Sequence, residues 1–345
     1  MDIELFNFNL PEELIAQSPC KKRDNSRLLI VNRCSKQIED KHFYDIADYL
    51  SAGDVLVRNN TKVIPARLIG VKEKTNARIE LLLLRNLGDD VWECLVGNAK
   101  AIHEGSQIDF GEKKLIGECV EVLDEGIRHI HFLYRGIFME ILDQLGKMPL
   151  PPYIKHQCDD NSQYQTIYAK VEGSAAAPTA GFHFTDELFD KLLAKGVEII
   201  DVTLHIGLGT FRPIKTSNVE DHHMHSEYYE ISKRAAERLN LAKHEGRRII
   251  AIGTTSARTL EANMNRYKRF TSTKEETDIF IVPGYKFLAI DALITNFHLP
   301  KSTLIMLVSA FMGREFTLQV YQTAINNKYR FFSFGDAMFI YGQEK

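Results

Sequence analysis

A chain of 345 residues, 44% hydrophobic and 26% charged, has ordinary globular make-up and is long enough for one large domain or two ordinary ones around a substantial core. Its 43 basic and 46 acidic residues leave a formal net charge of -3, which excludes a global polycation and confines any nucleic-acid contact to a local basic surface. The five cysteines, Cys20, Cys34, Cys94, Cys119 and Cys158, are widely spaced without a C-x-x-C pair, which excludes a disulfide framework and a zinc knuckle and fits a reducing cytoplasm. The first residues carry no basic, apolar leader, and no apolar run approaches the roughly 20 residues of a membrane span, so neither export nor a membrane anchor is expected.

The strand Asp54 to Val57 has no partner of its own nearby and is expected to pair with a sheet formed later in the chain. From about Ala66 to Tyr134 the sequence reads as short strands, including Ile79 to Leu84, Val91 to Val96, Lys114 to Val122 and Ile127 to Tyr134, separated by Gly, Asn and Asp turns. That is the pattern of a small barrel. An amphipathic stretch, Phe138 to Leu145, follows, and then the proline-rich Met148 to Tyr153, which favours extended backbone and reads as a return linker.

Beyond the linker, strand and helix alternate. Thr185 can cap a helix with Asp186 and Glu187 in its first turn, and Gly196 can end it before the strand Val197 to Leu204. Arg248 to Ile252 leads into a helix through Gly253-Thr254-Thr255-Ser256, and Ala289 to Thr295 leads through a loop into the apolar helix Ser302 to Met312. The expected fold is an α/β main domain with an inserted small antiparallel β-barrel: residues 1-65 and 148-345 form the main domain and 66-147 the barrel.

The chemistry gathers in loops at strand ends, where open α/β sheets bind ligands. Gly173 to Phe184 supplies small residues, with Ser174 and Thr179, that let backbone approach a ligand, then Phe182 and Phe184, which can stack a base; a tight loop packed under a helix would use the same residues. Thr254, Thr255 and Ser256 place hydroxyls and N–H groups at a helix start, suited to a carboxylate or phosphate, although capping alone would account for Ser256. Arg258, a turn further in, offers a bidentate contact to a carboxylate or is a solvated surface arginine. Asn296 and His298 can read a base edge or serve structure.

His223, His225 and Glu227 would share one face of a strand and make a possible metal set, but nothing fixes that segment as a strand and no cysteine completes it, so no metal is expected. Gly207-Leu208-Gly209 is a poor dinucleotide loop, since the third glycine is missing and Pro213 interrupts any following helix.

Taken together, the strings Gly53 to Val57, Val63 to Leu68, Met148 to Ile154, Tyr164 to Ala169, Ala177-Pro178-Thr179-Ala180-Gly181, Thr203-Leu204-His205, His225-Ser226-Glu227, Gly253 to Ser256, Pro283-Gly284-Tyr285, Thr295 to Pro300 and Phe334 to Met338 closely resemble the S-adenosylmethionine:tRNA ribosyltransferase-isomerase family of queuosine biosynthesis, end to end. Phe182 and Ile206 stand where Leu and Val are expected, both conservative departures.

The resemblance implies transfer of the ribosyl group of S-adenosylmethionine to 7-aminomethyl-7-deazaguanine at the tRNA wobble position, giving epoxyqueuosine and releasing adenine and methionine. Such a site needs a base for a proton on the activated ribosyl carbon, a donor for departing adenine and a platform for an extruded base. His183, His205, His225, Glu227 and His298 are the acid/base candidates; Ser174, Thr179, Phe182, Thr254, Thr255, Ser256, Arg258 and Asn296 are the substrate-binding candidates. Arg58, Lys62 and Arg67 are candidate RNA phosphate contacts. The sulfonium supplies the activation, so S-adenosylmethionine is a consumed co-substrate and no cofactor is called for. A cytoplasmic monomer without an obligate protein partner is expected. A conventional methyltransferase would carry a Gly-rich strand-loop-helix early in its α/β domain, absent before the barrel stretch. A non-catalytic RNA-binding scaffold would have little reason to collect so many His, Thr, Ser and Asn residues in strand-end loops.

Overall fold

The computed structural model describes residues 1–151, 153–155, 161–207 and 216–342. The chain divides into two compact units, one of residues 1–61, 152–170 and 178–345 and the other of residues 62–151 and 171–177. The stretch 66-147 expected to form the barrel lies inside the second unit. That unit also takes in residues 171–177, because the Ile64 N–H donates to the Ser174 carbonyl.

The large unit is a nine-stranded mixed sheet. In chain order its strands are β1 (Arg27–Asn32), β2 (Ile38–His42), β3 (Val55–Asn59) and, after the barrel, β12 (Glu198–Leu204), β13 (Glu227–Ile231), β14 (Ile249–Ile252), β15 (Thr273–Thr277), β16 (Ala292–Asn296) and β17 (Ala337–Tyr341). Their spatial order is β15-β13-β12-β3-β14-β16-β17-β1-β2. As expected, β3 finds its partners late in the sequence, lying parallel between β12 and β14. Both faces of the central strands are covered, so Leu28 to Val31, Val55 to Val57 and Ile249 to Ile252 are continuous buried runs rather than alternating ones. One face packs Phe43, Ile46, Leu50, Phe184, Leu188 and Phe189 onto Leu56, Ile250, Ile294 and Phe339.

The helices start where the local chemistry says they should. Thr185 caps α2 (Asp186–Ala194) by accepting the Leu188 N–H, and Gly196 follows at φ +86. Ser232 and Ser302 cap α3 (Lys233–His244) and α5 (Thr303–Met312) in the same way. The helix α4 (Gly253–Tyr267) is different. It springs from β14 with no side-chain cap, so Ser256 is not a cap but a buried residue of the first turn. The last helix, α6 (Arg314–Asn326), packs on α5.

The small unit is a closed six-stranded antiparallel barrel, ordered β10-β7-β6-β5-β8-β9, from β5 (Arg67–Lys72), β6 (Arg78–Gly88), β7 (Val91–Val96), β8 (Gln107–Phe110), β9 (Leu115–Val122) and β10 (Ile127–Tyr134). Alternate residues point inward, burying Trp92, Cys94 and Val96 of β7 and Ile130 and Phe132 of β10 in its core, with Trp92 opposite Ile130. The amphipathic α1 (Phe138–Leu145) follows, and the short strands β4 (Thr61–Val63) and β11 (Val171–Ser174) pair with each other.

Candidate functional site

The register aligns the ends of several strands at one edge of the large sheet. Asn296 ends β16 opposite Ala337 at the start of β17, which pairs with Leu28 at the start of β1, while Ile252 at the end of β14 pairs with Ile294. The carboxyl ends of β3, β12, β14 and β16 therefore share an edge with the segments leading into β1 and β17. That is where doubly wound sheets hold ligands. Against it lies the tight turn Thr179–His183.

Gly181 makes that turn possible, since a Cβ there would overlap the Tyr168 hydroxyl and press on Thr166. Gly253, the first residue of α4, sits at φ +85 with the Ala180 methyl 3.4 Å from where its own Cβ would be. Both glycines let backbone segments close up beneath the site.

His183 is 3% exposed and stacks on Phe43. Its Nδ1 lies 2.7 Å from Ser26 Oγ, which in turn donates to the Arg23 carbonyl at 3.1 Å. Its Nε2 is buried and has no hydrogen-bond partner among the described residues. Burial lowers the imidazole to about 4, against the opposing pull of Asp336 and of the Asn296 side chain. Asn296 donates from Nδ2 to the Phe332 carbonyl at 2.8 Å, while its Oδ1, like His183 Nε2, is buried and unpartnered. His298 shares a 2.8 Å hydrogen bond between Nε2 and Thr295 Oγ1, and burial takes it down to about 3.

At the start of α4, Thr254, Thr255 and Ser256 are all buried, and Thr255 Oγ1 and Ser256 Oγ have no partner among the described residues. Buried hydroxyls usually find one, so a row of unpaired atoms at a sheet edge marks a place prepared for a ligand. Arg258 is not the open carboxylate receptor, or surface arginine, that its position suggested. It is 4% exposed and donates from Nη1 to Glu227, which also accepts the Gly207 N–H at 3.0 Å. Among the described residues Arg258 Nη2 finds no partner. Glu227 is thereby the charge partner of Arg258 in a buried pair.

The other candidates scatter. His205 joins Thr61 Oγ1 through Nδ1 at 2.8 Å, stacks on Tyr228 and is lowered by burial. His225 is exposed on irregular backbone, because β13 begins only at Glu227; the strand needed for a His223, His225 and Glu227 metal set does not form. Among the described residues no group of three His, Cys, Asp or Glu side chains is arranged to hold a metal ion. Ser174 belongs to the small unit and donates to the Ala176 carbonyl at 2.6 Å. Thr179 opens the turn and is half-buried. Phe182 is buried with its ring stacked on Phe334, whereas Phe184 is core, wedged between Phe43 and Phe189. Gly209 and Pro213 lie outside the described residues.

Of the three basic residues, Arg58 is turned inward. Its guanidinium sits over the Tyr168 and Phe189 rings and donates to Asp201 at 2.6 Å. Lys62 and Arg67, in the small unit, are more exposed, facing Glu172 at 2.9 Å and Glu80 at 3.3 Å. Residues without a sequence-derived role stand out instead. Arg330 donates to Cys20 Sγ at 2.7 Å and faces Asp336, and Asp336 accepts the backbone N–H groups of Arg27 and Arg330. Ser26, Arg23, Phe334 and Arg330 line a cavity of about 370 Å³ together with Phe182 and His183. Phe334 and Asp336 fall in one of the strings that carry the family resemblance, which was their only signal; Arg23 and Ser26 lie in irregular backbone, where no periodicity marks them.

An open α/β sheet with an inserted barrel and a desolvated row of imidazole, amide and hydroxyl groups at its carboxyl edge defines an enzyme of the α/β class. The family described as queuosine biosynthesis protein matches residues 3–340, and the chain belongs to it. It is 57% identical over 340 residues to the S-adenosylmethionine:tRNA ribosyltransferase-isomerase of Staphylococcus saprophyticus, covering 99% of this chain and 100% of the relative. The enzyme of the same name from Staphylococcus haemolyticus is 56% identical over the same length. The crystal structure of S-adenosylmethionine tRNA ribosyltransferase from Thermotoga maritima is similar at a TM-score of 0.57 and 36% identity, over 97% of this chain and 99% of that one. Among the described residues no helix is long and apolar enough to cross a membrane.

Proposed function

We propose that the chain transfers and isomerises the ribosyl moiety of S-adenosylmethionine onto 7-aminomethyl-7-deazaguanine at the wobble position of tRNA, giving epoxyqueuosine-tRNA with release of adenine and methionine. The family and the names of the relatives support the reaction class. The observation that carries the site is the set of buried, unpartnered atoms at one sheet edge: His183 Nε2, Asn296 Oδ1, Thr255 Oγ1, Ser256 Oγ and Arg258 Nη2. Each costs on the order of 1–3 kcal/mol unpaired, which a bound substrate repays.

In this reading His183 is the base. With the single Ser26 hydroxyl proton on the Arg23 carbonyl, Ser26 accepts from Nδ1–H, and Nε2 keeps its lone pair. A neutral imidazole at pH 7 follows from the burial that lowers it to about 4. Once Nε2 takes the proton from the ribosyl carbon, Asn296 Oδ1 is placed to accept the new N–H and Asp336 favours the charge. The acceptor amine forms the new bond to a ribosyl carbon and releases a proton, adenine leaves with the proton held on Nε2 as its glycosidic bond breaks, and methionine leaves as a neutral thioether, keeping the electron pair of the broken carbon–sulfur bond as a ribosyl oxygen closes the epoxide. Thr254, Thr255 and Ser256 hold the donor at the start of α4, where the helix dipole suits its carboxylate. No metal or cofactor is assigned a role, and Lys62 and Arg67 are the RNA contacts retained from the sequence.

Purified protein, S-adenosylmethionine and a tRNA already carrying 7-aminomethyl-7-deazaguanine would be mixed and the products weighed by mass spectrometry. Adenine, methionine and a ribosylated tRNA are expected. S-adenosylhomocysteine with methylated RNA would make the chain a methyltransferase, and the absence of any small product would return it to a binding protein.

A further inference from the structure

The cavity of about 370 Å³ in the large unit differs in character from the α4 start. Lys21, Arg23 and Arg330 line it, no carboxylate is among its described lining residues, and Asp336, which faces Arg330, is 2% exposed and already accepts two backbone N–H groups and the Arg330 guanidinium. Its charge is therefore positive. Phe182 and Phe334 line it as well, their rings near parallel with centroids 5.9 Å apart, and the Arg23 guanidinium lies 5.5 Å over Phe182 while donating to the Ser162 and Phe182 carbonyls. The nine-tenths-buried His183, with its unpartnered Nε2, is part of the same lining.

A cationic wall beside an aromatic one fits a planar base carrying a phosphate, because guanidinium and ammonium groups hold phosphate oxygens while rings stack a base. The same wall repels a sulfonium. We propose that this cavity seats the acceptor nucleotide of the RNA, its phosphate towards Lys21, Arg23 and Arg330 and its base against Phe182 and Phe334, while the donor occupies the start of α4. The inference rests on the RNA-modifying reading above and divides its site in two.

The test measures binding of a synthetic anticodon stem-loop bearing 7-aminomethyl-7-deazaguanine, and of its abasic counterpart, by fluorescence anisotropy across a salt series, with S-adenosylmethionine affinity measured by calorimetry. Lys21→Gln, at an exposed position that folding tolerates, and Arg23→Gln are expected to weaken stem-loop binding about 5- to 30-fold and to lower the salt slope by about 1 each. Phe182→Ala should erase the preference for the base-bearing loop over the abasic one, with S-adenosylmethionine affinity unchanged in all three. Guanosine 5′-monophosphate should compete only weakly.

Unchanged RNA binding in Lys21→Gln and Arg23→Gln would overturn the assignment. Loss of S-adenosylmethionine affinity with RNA binding intact would hand the cavity to the donor. Competition by the free mononucleotide as strong as that of the stem-loop would make it a mononucleotide site instead. A wild-type protein that binds no stem-loop at all would defeat the RNA-modifying reading itself, a separate result.

Discussion

A neutral imidazole with one nitrogen tied to Ser26 and the other buried without a partner has a testable acid limb. Because burial holds His183 near 4, single-turnover adenine release should stay level from pH 8 down to pH 5 instead of breaking near the ordinary value of 6.5. His183→Gln is expected to lower the rate by about 10²- to 10⁴-fold. A break near 6.5 that persists in His183→Gln would assign the base to another histidine. The Glu227 and Arg258 pair is a second test at this scale, with side chains only 3% and 5% exposed. Glu227→Gln strands a buried guanidinium and should cost about 3–5 kcal/mol in urea unfolding, whereas adding Arg258→Met to it should recover much of that loss. If the single variant were fully stable, the pair would owe its burial to catalysis rather than to structure.

Among the elements, the turn Thr179–His183 depends on what is missing from Gly181. Gly181→Ala forces a methyl into the Tyr168 hydroxyl and should destabilise the fold by about 1–3 kcal/mol, with Phe182 and His183 displaced and adenine release reduced in parallel. Thermal melting alongside the activity assay checks this: an unchanged melting temperature and an unchanged rate together would show that the Tyr168 hydroxyl makes room for the methyl. The elements themselves were largely legible in the sequence. The strands β7 and β10 coincide with the alternating runs that announced them, and Thr185 caps the helix it was expected to cap. Two barrel strands stand out less: β5 carries Gly70 at a buried position and apolar Ile69 and Val71 at its more exposed ones, which blurs the alternation, and β8, Gln107–Phe110, has only four residues. The site was half legible. Small and polar residues near strand ends flagged His183, Asn296 and the start of α4, whereas Arg23, Ser26 and Arg330 reach the cavity only through tertiary contact. Arg58 and Arg258 misled for one physical reason. A long cationic side chain reads as surface in a sequence, yet an acidic partner, with aromatic faces beside Arg58, pulls it inward.

For the molecule as a whole, the buried histidines set an acid sensitivity. His183 near 4 and His298 near 3 stay neutral in the folded state while the unfolded chain takes up protons below about 6.5, so stability rises with pH across that interval and falls as pH drops through it. Each contributes up to about 2 kcal/mol of loss at pH 5 relative to pH 7, at about 1.4 kcal/mol per pKa unit. Urea unfolding at the two pH values should reveal the drop, and His298→Gln should shrink it; an equal drop in the variant would place the sensitivity elsewhere. The order of strands also sets a timetable for synthesis. In the sheet β3 is flanked by β12 and β14, and β1 lies beside β17, about 300 residues further along the chain. At roughly 5–20 residues per second, β1 emerges from the ribosome some tens of seconds before that partner exists. The barrel, whose six strands all fall within Arg67–Tyr134, can close long before then. Until then the apolar run Leu28–Val31 has only β2 to pair with, and its other edge stays open to wrong pairing.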